Sequence, residues 1–210
     1  VNLRAILNGD LVRLSDVYRF SMVRVVHRES TAEHSFYVTL YSYFLVRWAE
    51  ENTNARVDMA MVLAGAVLHD TEECRTGDIN RLFKHSNREL ASSIEQAAIE
   101  EHYALCEEVY PFSQGDTTAA RASMHQRWVH AKDGTPNGCI VALADFMSVV
   151  SYIWQELASA NHTMDRYRES VVAYSHEFNR SEFDFLRPIV DELQTIVVEI
   201  FSREGKSDGA

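Results

Sequence analysis

Asp58-Met59-Ala60-Met61-Val62-Leu63-Ala64-Gly65-Ala66-Val67-Leu68-His69-Asp70-Thr71-Glu72-Glu73 is the stretch on which the reading of this chain turns. From Asp58 to His69 the pattern predicts an apolar helix, with Met59, Met61, Val62, Leu63, Ala66, Val67 and Leu68 as its body. It ends in the dense polar cluster His69-Asp70-Thr71-Glu72-Glu73, and Thr76-Gly77-Asp78 follows as a turn signal. An apolar helix that delivers a His and an Asp at its end puts ionisable groups where core residues are expected.

Two other segments do the same. A helix is predicted to start near Ser30 or Thr31, where Ser30 with Glu33 has the better capping-box spacing and Thr31 with His34 the poorer. From Phe36 to Trp48 it is apolar nearly all round, which predicts a central buried helix that Asn52 to Asn54 breaks. His34 sits near its start. A further long apolar helix is expected over residues 140–160, and Asp145 interrupts its run Ile140-Val141-Ala142-Leu143-Ala144. Burying one uncompensated carboxylate costs about several kcal/mol even after relaxation. Three helices that each carry such groups therefore suggest a shared partner. A divalent cation would serve, since imidazole and carboxylate together suit Zn, Mn, Fe or Co.

The remaining pattern is also helical. Residues 2–13 predict a short amphipathic helix, and the segment from Arg19 to Ser30 an irregular, basic connector. Residues 87–109 predict an acidic amphipathic helix. The stretches 111–118 and 132–138 predict loops, and further helices are expected over about 164–178 and 181–202. With only three prolines and eight glycines in 210 residues, the fold class is all-α, a single domain of roughly seven helices over residues 1–203, followed by a flexible tail, 204–210.

Composition narrows the function. A net charge of −11 argues against a duplex nucleic-acid binder, while leaving room for a small anionic substrate beside a metal. Cys74, Cys106 and Cys139 are odd in number and far apart, so they suggest neither a disulfide framework nor a thiolate zinc site, but small buried residues. No N-terminal signal pattern is evident, and no apolar run was expected to approach the ~20 residues a bilayer needs. The expectation is a cytoplasmic protein with no membrane partner.

The order His34, then His69-Asp70 35 residues later, then Asp145 is similar to the H…HD…D signature of HD-domain phosphohydrolases. Tyr18-Arg19-Phe20, Glu33-His34-Ser35, His69 to Glu73, Thr76-Gly77-Asp78, Lys84, Ala144-Asp145, Glu156-Leu157 and Asn161 extend the likeness. Over roughly residues 15–165 the chain resembles the bacterial YfbR-like 5′-deoxynucleotidases and the related viral dATP triphosphohydrolases.

That resemblance implies an HD-domain bundle with His34, His69, Asp70 and Asp145 as metal ligands. The cation would be Zn, Co or Mn, with Mg possible on a phosphate chain. Glu73, three positions beyond Asp70, would be the general base or acid, with Glu72 as its local competitor. Arg19 would clamp a phosphate oxygen, since a guanidinium fork matches phosphate geometry. Lys84 would be a second phosphate contact, and Asp78 an acid near the sugar and the 5′-oxygen, unless it only caps its turn. Phe20 would pack near the deoxyribose, Met22 would either touch the base or join the core, and Glu33 would cap its helix or orient a ligand. A homo-oligomer is implied as well.

The chain departs from the group in two places. Phe20 stands where the group has Trp, which puts discrimination against ribose in question. The segment after Asp78 lacks the proline-rich turn and adds Arg81 and His85 near Lys84. Extra cations suit a longer phosphate chain, so the sequence leans slightly toward a dNTP triphosphohydrolase over a 5′-deoxynucleotidase acting on monophosphates. A non-catalytic nucleotide-sensing module is the alternative of another class.

Overall fold

Reciprocal capping at Ser30 and Glu33 starts the first long helix. The Ser30 hydroxyl accepts from the Glu33 N–H at 3.2 Å, and the Glu33 carboxylate accepts from the Ser30 N–H at 2.7 Å. In the computed structural model, residues 1–79, 87–112 and 117–202 are described. Among them the α-helices are α1 (Leu3–Asn8), α2 (Thr31–Asn52), α3 (Met59–Leu68), the single turn α4 (Glu73–Thr76), α5 (Arg88–Val109), α6 (Thr118–Val129), α7 (Pro136–Ala158), α8 (Arg168–Ser175) and α9 (Arg187–Ser202). No strand occurs among the described residues, where an isolated bridge joins Tyr18 to Ser30. The all-α expectation holds. Lys84, Arg81, His85 and the 204–210 tail fall outside the described residues.

The core lies where α2, α3 and α7 meet. Val38, Leu45, Val46 and Ala49 of α2 face Val62 and Ala66 of α3, together with Ile140, Leu143, Ala144, Phe146, Val150 and Ile153 of α7. Each large side chain sealed this way stabilises the fold by about 1.5–3 kcal/mol. Helix α9 lays Val190, Leu193, Val197, Ile200 and Phe201 on the same core, at the spacing of one helix face. The acidic helix α5 packs against α6, α1 and α4 on the other side.

Several expected elements are corrected. The predicted helix over 2–13 is divided at Gly9 into α1 and a 3₁₀ stretch, Asp10–Ser15, because Gly9 is extended and a Cβ there would lie 2.3 Å from the Ala5 carbonyl oxygen. Helix α2 is buried on one face only: Phe36, Tyr43 and Phe44 are exposed. Uniform hydrophobicity hid that asymmetry. The loop expected over 132–138 ends at Thr135, whose hydroxyl caps α7 at the Gly138 N–H while Pro136 opens the helix. Asp145 is thus near the middle of α7. The helix α6 carries a weak apolar pattern, and the sequence reading missed it. Residues 162–186 alternate 3₁₀ and α turns where two continuous helices were expected.

Helix α7 also corrects the expectation that no run approaches membrane length. It spans 23 residues with a windowed mean hydropathy of 1.4, but 61% of that window is buried inside the protein. It is the central core helix.

Candidate metal centre and active site

Three helix positions bring four of the expected residues together. His34 is in the first turn of α2, His69 caps the C-terminus of α3 with Asp70 beside it, and Asp145 projects from mid-α7. His34 and His69 are buried, and both aspartates are largely enclosed. His34 Nε2 lies 3.0 Å from Asp145 Oδ1 and 3.6 Å from Asp70 Oδ2, and His69 Nε2 lies 3.0 Å from Asp70 Oδ2.

The other ring nitrogens decide what these can do. His69 Nδ1 is 2.7 Å from the Ala66 carbonyl oxygen, which only accepts, so Nδ1 carries the proton and donates it. In the neutral ring, Nε2 then holds a lone pair aimed at the Asp70 carboxylate. His34 Nδ1 is held by the Ser148 hydroxyl at 3.0 Å, one turn beyond Asp145 on α7. Burial and the Arg19 charge lower His34 to about 4, so its ring is neutral near pH 7. Both Nε2 atoms are buried without a hydrogen-bond partner among the described residues. The His69 Nε2 lone pair and the Asp70 carboxylate repel unless a cation lies between them. Two imidazoles and two carboxylates suit a Zn, Mn, Fe or Co ion.

Lys132 shapes this donor set, and nothing in the sequence pattern pointed to it. Its ammonium is 2.6 Å from Asp145 Oδ2 and 3.6 Å from Asp70 Oδ1. One oxygen of each carboxylate therefore goes to Lys132, and the other turns toward the imidazoles. Burial would raise both acids, but the Lys132 ammonium beside them holds Asp145 and Asp70 well below the usual carboxylate range. Gly138 makes this placement possible: a Cβ there would lie 2.3 Å from the Asp133 carbonyl oxygen, so only glycine lets the 131–135 turn fold onto α7.

Around the centre stands a second ring of charge. Arg19 is partly buried and its Nη1 is fully enclosed without a partner among the described residues. Burial opposes its charge, but the fields of Asp145, Asp70, Glu29 and Glu73 more than offset that. Glu73 accepts a hydrogen bond from the Thr31 hydroxyl at 2.8 Å. Burial and the charges of Asp70 and Asp78 raise it well above an ordinary glutamate. Glu73 is therefore not a freely solvated surface acid. Glu72 turns away and accepts from the Trp128 indole N–H at 2.7 Å.

Burial raises Asp78 above an ordinary aspartate, while the Arg19 charge opposes that rise. Phe20 takes a left-handed backbone, φ 55°, and its ring stacks on Tyr152 at 4.9 Å and meets Tyr167 edge-on at 5.5 Å. Met22 is 78% exposed, which removes the core reading for it. Glu33 is the helix cap described above.

Glu156 and Asn161 fix the connector that carries Arg19. The buried Glu156 carboxylate accepts from the Val26 and His27 N–H groups, both at 2.7 Å, and from the Asn161 side chain, which also bonds the Arg24 carbonyl. The sequence reading also missed Glu29, which is 8% exposed and pushed up to about 7 by burial against the pull of Arg19.

A sequence-family profile described as "5′-deoxynucleotidase YfbR-like" matches residues 8–193. A 5′-deoxynucleotidase of Enterobacter sp. strain 638 is 31% identical over 90 residues, 43% of this chain and 44% of the relative, so the aligned stretch spans less than half of that protein. A 5′-deoxynucleotidase of Vibrio vulnificus strain YJ016 is 24% identical over 160 residues, 72% of this chain and 75% of the relative. Among solved structures, an HD-domain phosphohydrolase of Listeria innocua superposes with a TM-score of 0.68 at 21% identity, covering 92% of this chain and 96% of that one. A Pyrococcus horikoshii OT3 protein gives 0.70 at 20% identity, covering 92% and 99%. At those identities the two structures speak for the fold, and the profile, spanning most of the chain, speaks for the family: the chain belongs to the YfbR-like 5′-deoxynucleotidase family.

Proposed function

We propose that this chain is a divalent-metal phosphohydrolase that cleaves the 5′-phosphate ester of a 2′-deoxynucleotide, with His34, His69, Asp70 and Asp145 holding the cation. The observation that carries the proposal is the pair of partnerless, buried Nε2 atoms facing two carboxylates, with the partnerless Nη1 of Arg19 nearby. Its donor set favours Zn, Co or Mn, and a cation there supplies Lewis acidity, lowering the pKa of water and polarising a phosphoryl group.

The chain's own residues supply the rest. Arg19 holds a non-bridging phosphate oxygen. Glu73, raised well above an ordinary glutamate by burial and fixed by Thr31, exchanges a proton with the attacking water or the departing 5′-oxygen. Asp78 faces the 5′-oxygen and sugar, and Phe20, backed by Tyr152 and Tyr167, forms the aromatic wall on that side. Met22 is the base contact and Lys84 the second phosphate contact of this proposal. A homo-oligomer, the state the family resemblance implies, would cover the exposed Phe36, Tyr43 and Phe44 of α2.

A monophosphate is the substrate we favour, because the curated relatives are named as 5′-deoxynucleotidases and the cations behind the triphosphate lean, Arg81 and His85, lie outside the described residues. The test is chromatographic product analysis with Co²⁺, Mn²⁺, Zn²⁺ or Mg²⁺ and a panel of ribo- and deoxynucleoside mono-, di- and triphosphates. Deoxynucleoside and phosphate from monophosphates are expected. Deoxynucleoside with intact triphosphate would transfer the reading to a dNTP triphosphohydrolase, and tight nucleotide binding without product under every metal would make the chain a sensor.

A further inference from the structure

A second cluster of metal-binding side chains lies between α5 and α6, among residues the phosphohydrolase chemistry does not use. His102 and Cys106 are four residues apart on α5, so they share one face. Both are fully buried, and half-buried His125 meets them from α6. His102 Nδ1 lies 3.1 Å from His125 Nδ1 and 3.5 Å from Cys106 Sγ. One ligand atom from each residue falls within 4.8 Å of the other two. A tetrahedral cation with nitrogens at about 2.0–2.1 Å and a thiolate at about 2.3 Å has N–N edges of about 3.3 Å and N–S edges of about 3.6 Å. The two observed separations are close to those edges.

We propose that His102, Cys106 and His125 form a second metal site, built for a zinc-class divalent cation. Two imidazoles and one thiolate offer no oxygen donor, which disfavours Mg²⁺ and Ca²⁺. Among the described residues no further His, Cys, Asp or Glu joins the cluster, so a water or a small anion completes four-coordination. Both imidazoles are kept neutral by burial, and each has a lone pair to give. The Cys106 thiol releases its proton to solvent as the cation binds.

Bound this way, the cation cross-links α5 to α6. The cross-link also touches the catalytic side of the molecule. The Trp128 ring stacks on His102 with centroids 4.5 Å apart, and its indole N–H holds Glu72, between Asp70 and Glu73. The new site would thereby brace the turn that carries both of those residues.

Cobalt(II) distinguishes this site from the first, because a thiolate ligand gives an intense near-ultraviolet sulfur-to-cobalt charge-transfer band and the His34 centre has only nitrogen and oxygen donors. The full-length protein, stripped with chelator and titrated with Co²⁺, is expected to develop that band. Cys106→Ser and His125→Ala should each abolish it and bind one cobalt equivalent fewer per chain, while Asp70→Ala keeps it. His125 is half-buried, so its variant carries the test if Cys106→Ser does not fold. No band in the wild type, or a band that survives in the folded variants, would overturn the site and leave a hydrogen-bonded imidazole pair beside a buried thiol.

Discussion

The two histidine clusters solve the burial of imidazoles in different ways. Around His34 and His69, each ring spends Nδ1 on a neighbour, Ser148 or the Ala66 carbonyl, and leaves Nε2 without a partner against carboxylates. Around His102 and His125, the two Nδ1 atoms face each other at 3.1 Å, and one proton between them satisfies both. The first cluster sets its Nε2 atoms against carboxylates, whereas the second pairs its Nδ1 atoms with each other and leaves the buried His102 Nε2 without a partner among the described residues. Their donors differ as well: nitrogen and oxygen beside an arginine in one, nitrogen and sulfur under a tryptophan in the other. The comparison teaches that a group of ligand-type residues is best judged by what its remaining lone pairs face.

The largest expected effect separates the two clusters. Asp70→Ala removes one ligand and half of the carboxylate charge opposite His69. Turnover should fall on the order of 10³-fold or more, since a metal contributes several kcal/mol to phosphoryl charge stabilisation. The helical circular dichroism should remain, because Asp70 lies just beyond the C-cap of α3 and is no part of the apolar core. A drop of equal depth in Cys106→Ser would mean that the two clusters act as one unit.

Next comes the adjacent pair of acids, which the fold turns in opposite directions. Glu73 faces Thr31 and the charges of the centre, and Glu72 faces Trp128. Glu73→Gln should lower kcat by about 10²–10⁴-fold, the range for losing a general acid–base group. Glu72→Gln keeps an acceptor for the indole N–H and should leave kcat near the wild-type value. Steady-state kinetics on both variants decide between them, and a larger loss in Glu72→Gln would reverse the assignment of the proton-transfer residue.

Much of this arrangement was legible in the sequence, and the reasons are local. An Asp inside Ile140–Phe146 and a His-Asp pair ending Met59–Leu68 break strong apolar patterns, and such breaks survive without coordinates. The Ser30–Glu33 cap was equally visible, because capping depends on residues three apart. Lys132 was not legible: it reaches Asp145 through a turn that Gly138 allows, and no periodicity marks that contact. The His102–Cys106–His125 cluster was hidden for the same reason, since it joins two helices whose pairing only the tertiary fold defines. Cys106 was judged by its distance from other cysteines, when its partners are histidines. The exposed face of α2 was missed because aromatic residues on all sides give no direction to a helical pattern.

The smallest expected effect concerns pH, where the two clusters pull in opposite senses. Burial pushes Glu29, beside the first centre, from 4.5 up to about 7, and pushes His102, in the second, from 6.5 down to about 3. The signs follow from proton binding in the folded and unfolded chains. Between those two values the folded chain keeps a proton on Glu29 that the unfolded chain has lost. The contribution of Glu29 is therefore full below pH 4.5 and is lost as pH rises through about 7. That of His102 is present above pH 6.5 and is lost as pH falls toward 3. At one pKa unit per 1.36 kcal/mol, the Glu29 contribution is on the order of 3 kcal/mol at most. In chelator, denaturant unfolding of Glu29→Gln should lose less stability than wild type between pH 5 and pH 8, while its acid limb, set in part by His102, stays unchanged. Equal slopes in the two proteins would mean that Arg19 already holds Glu29 ionised, and would return that guanidinium to pairing within the protein, away from phosphate.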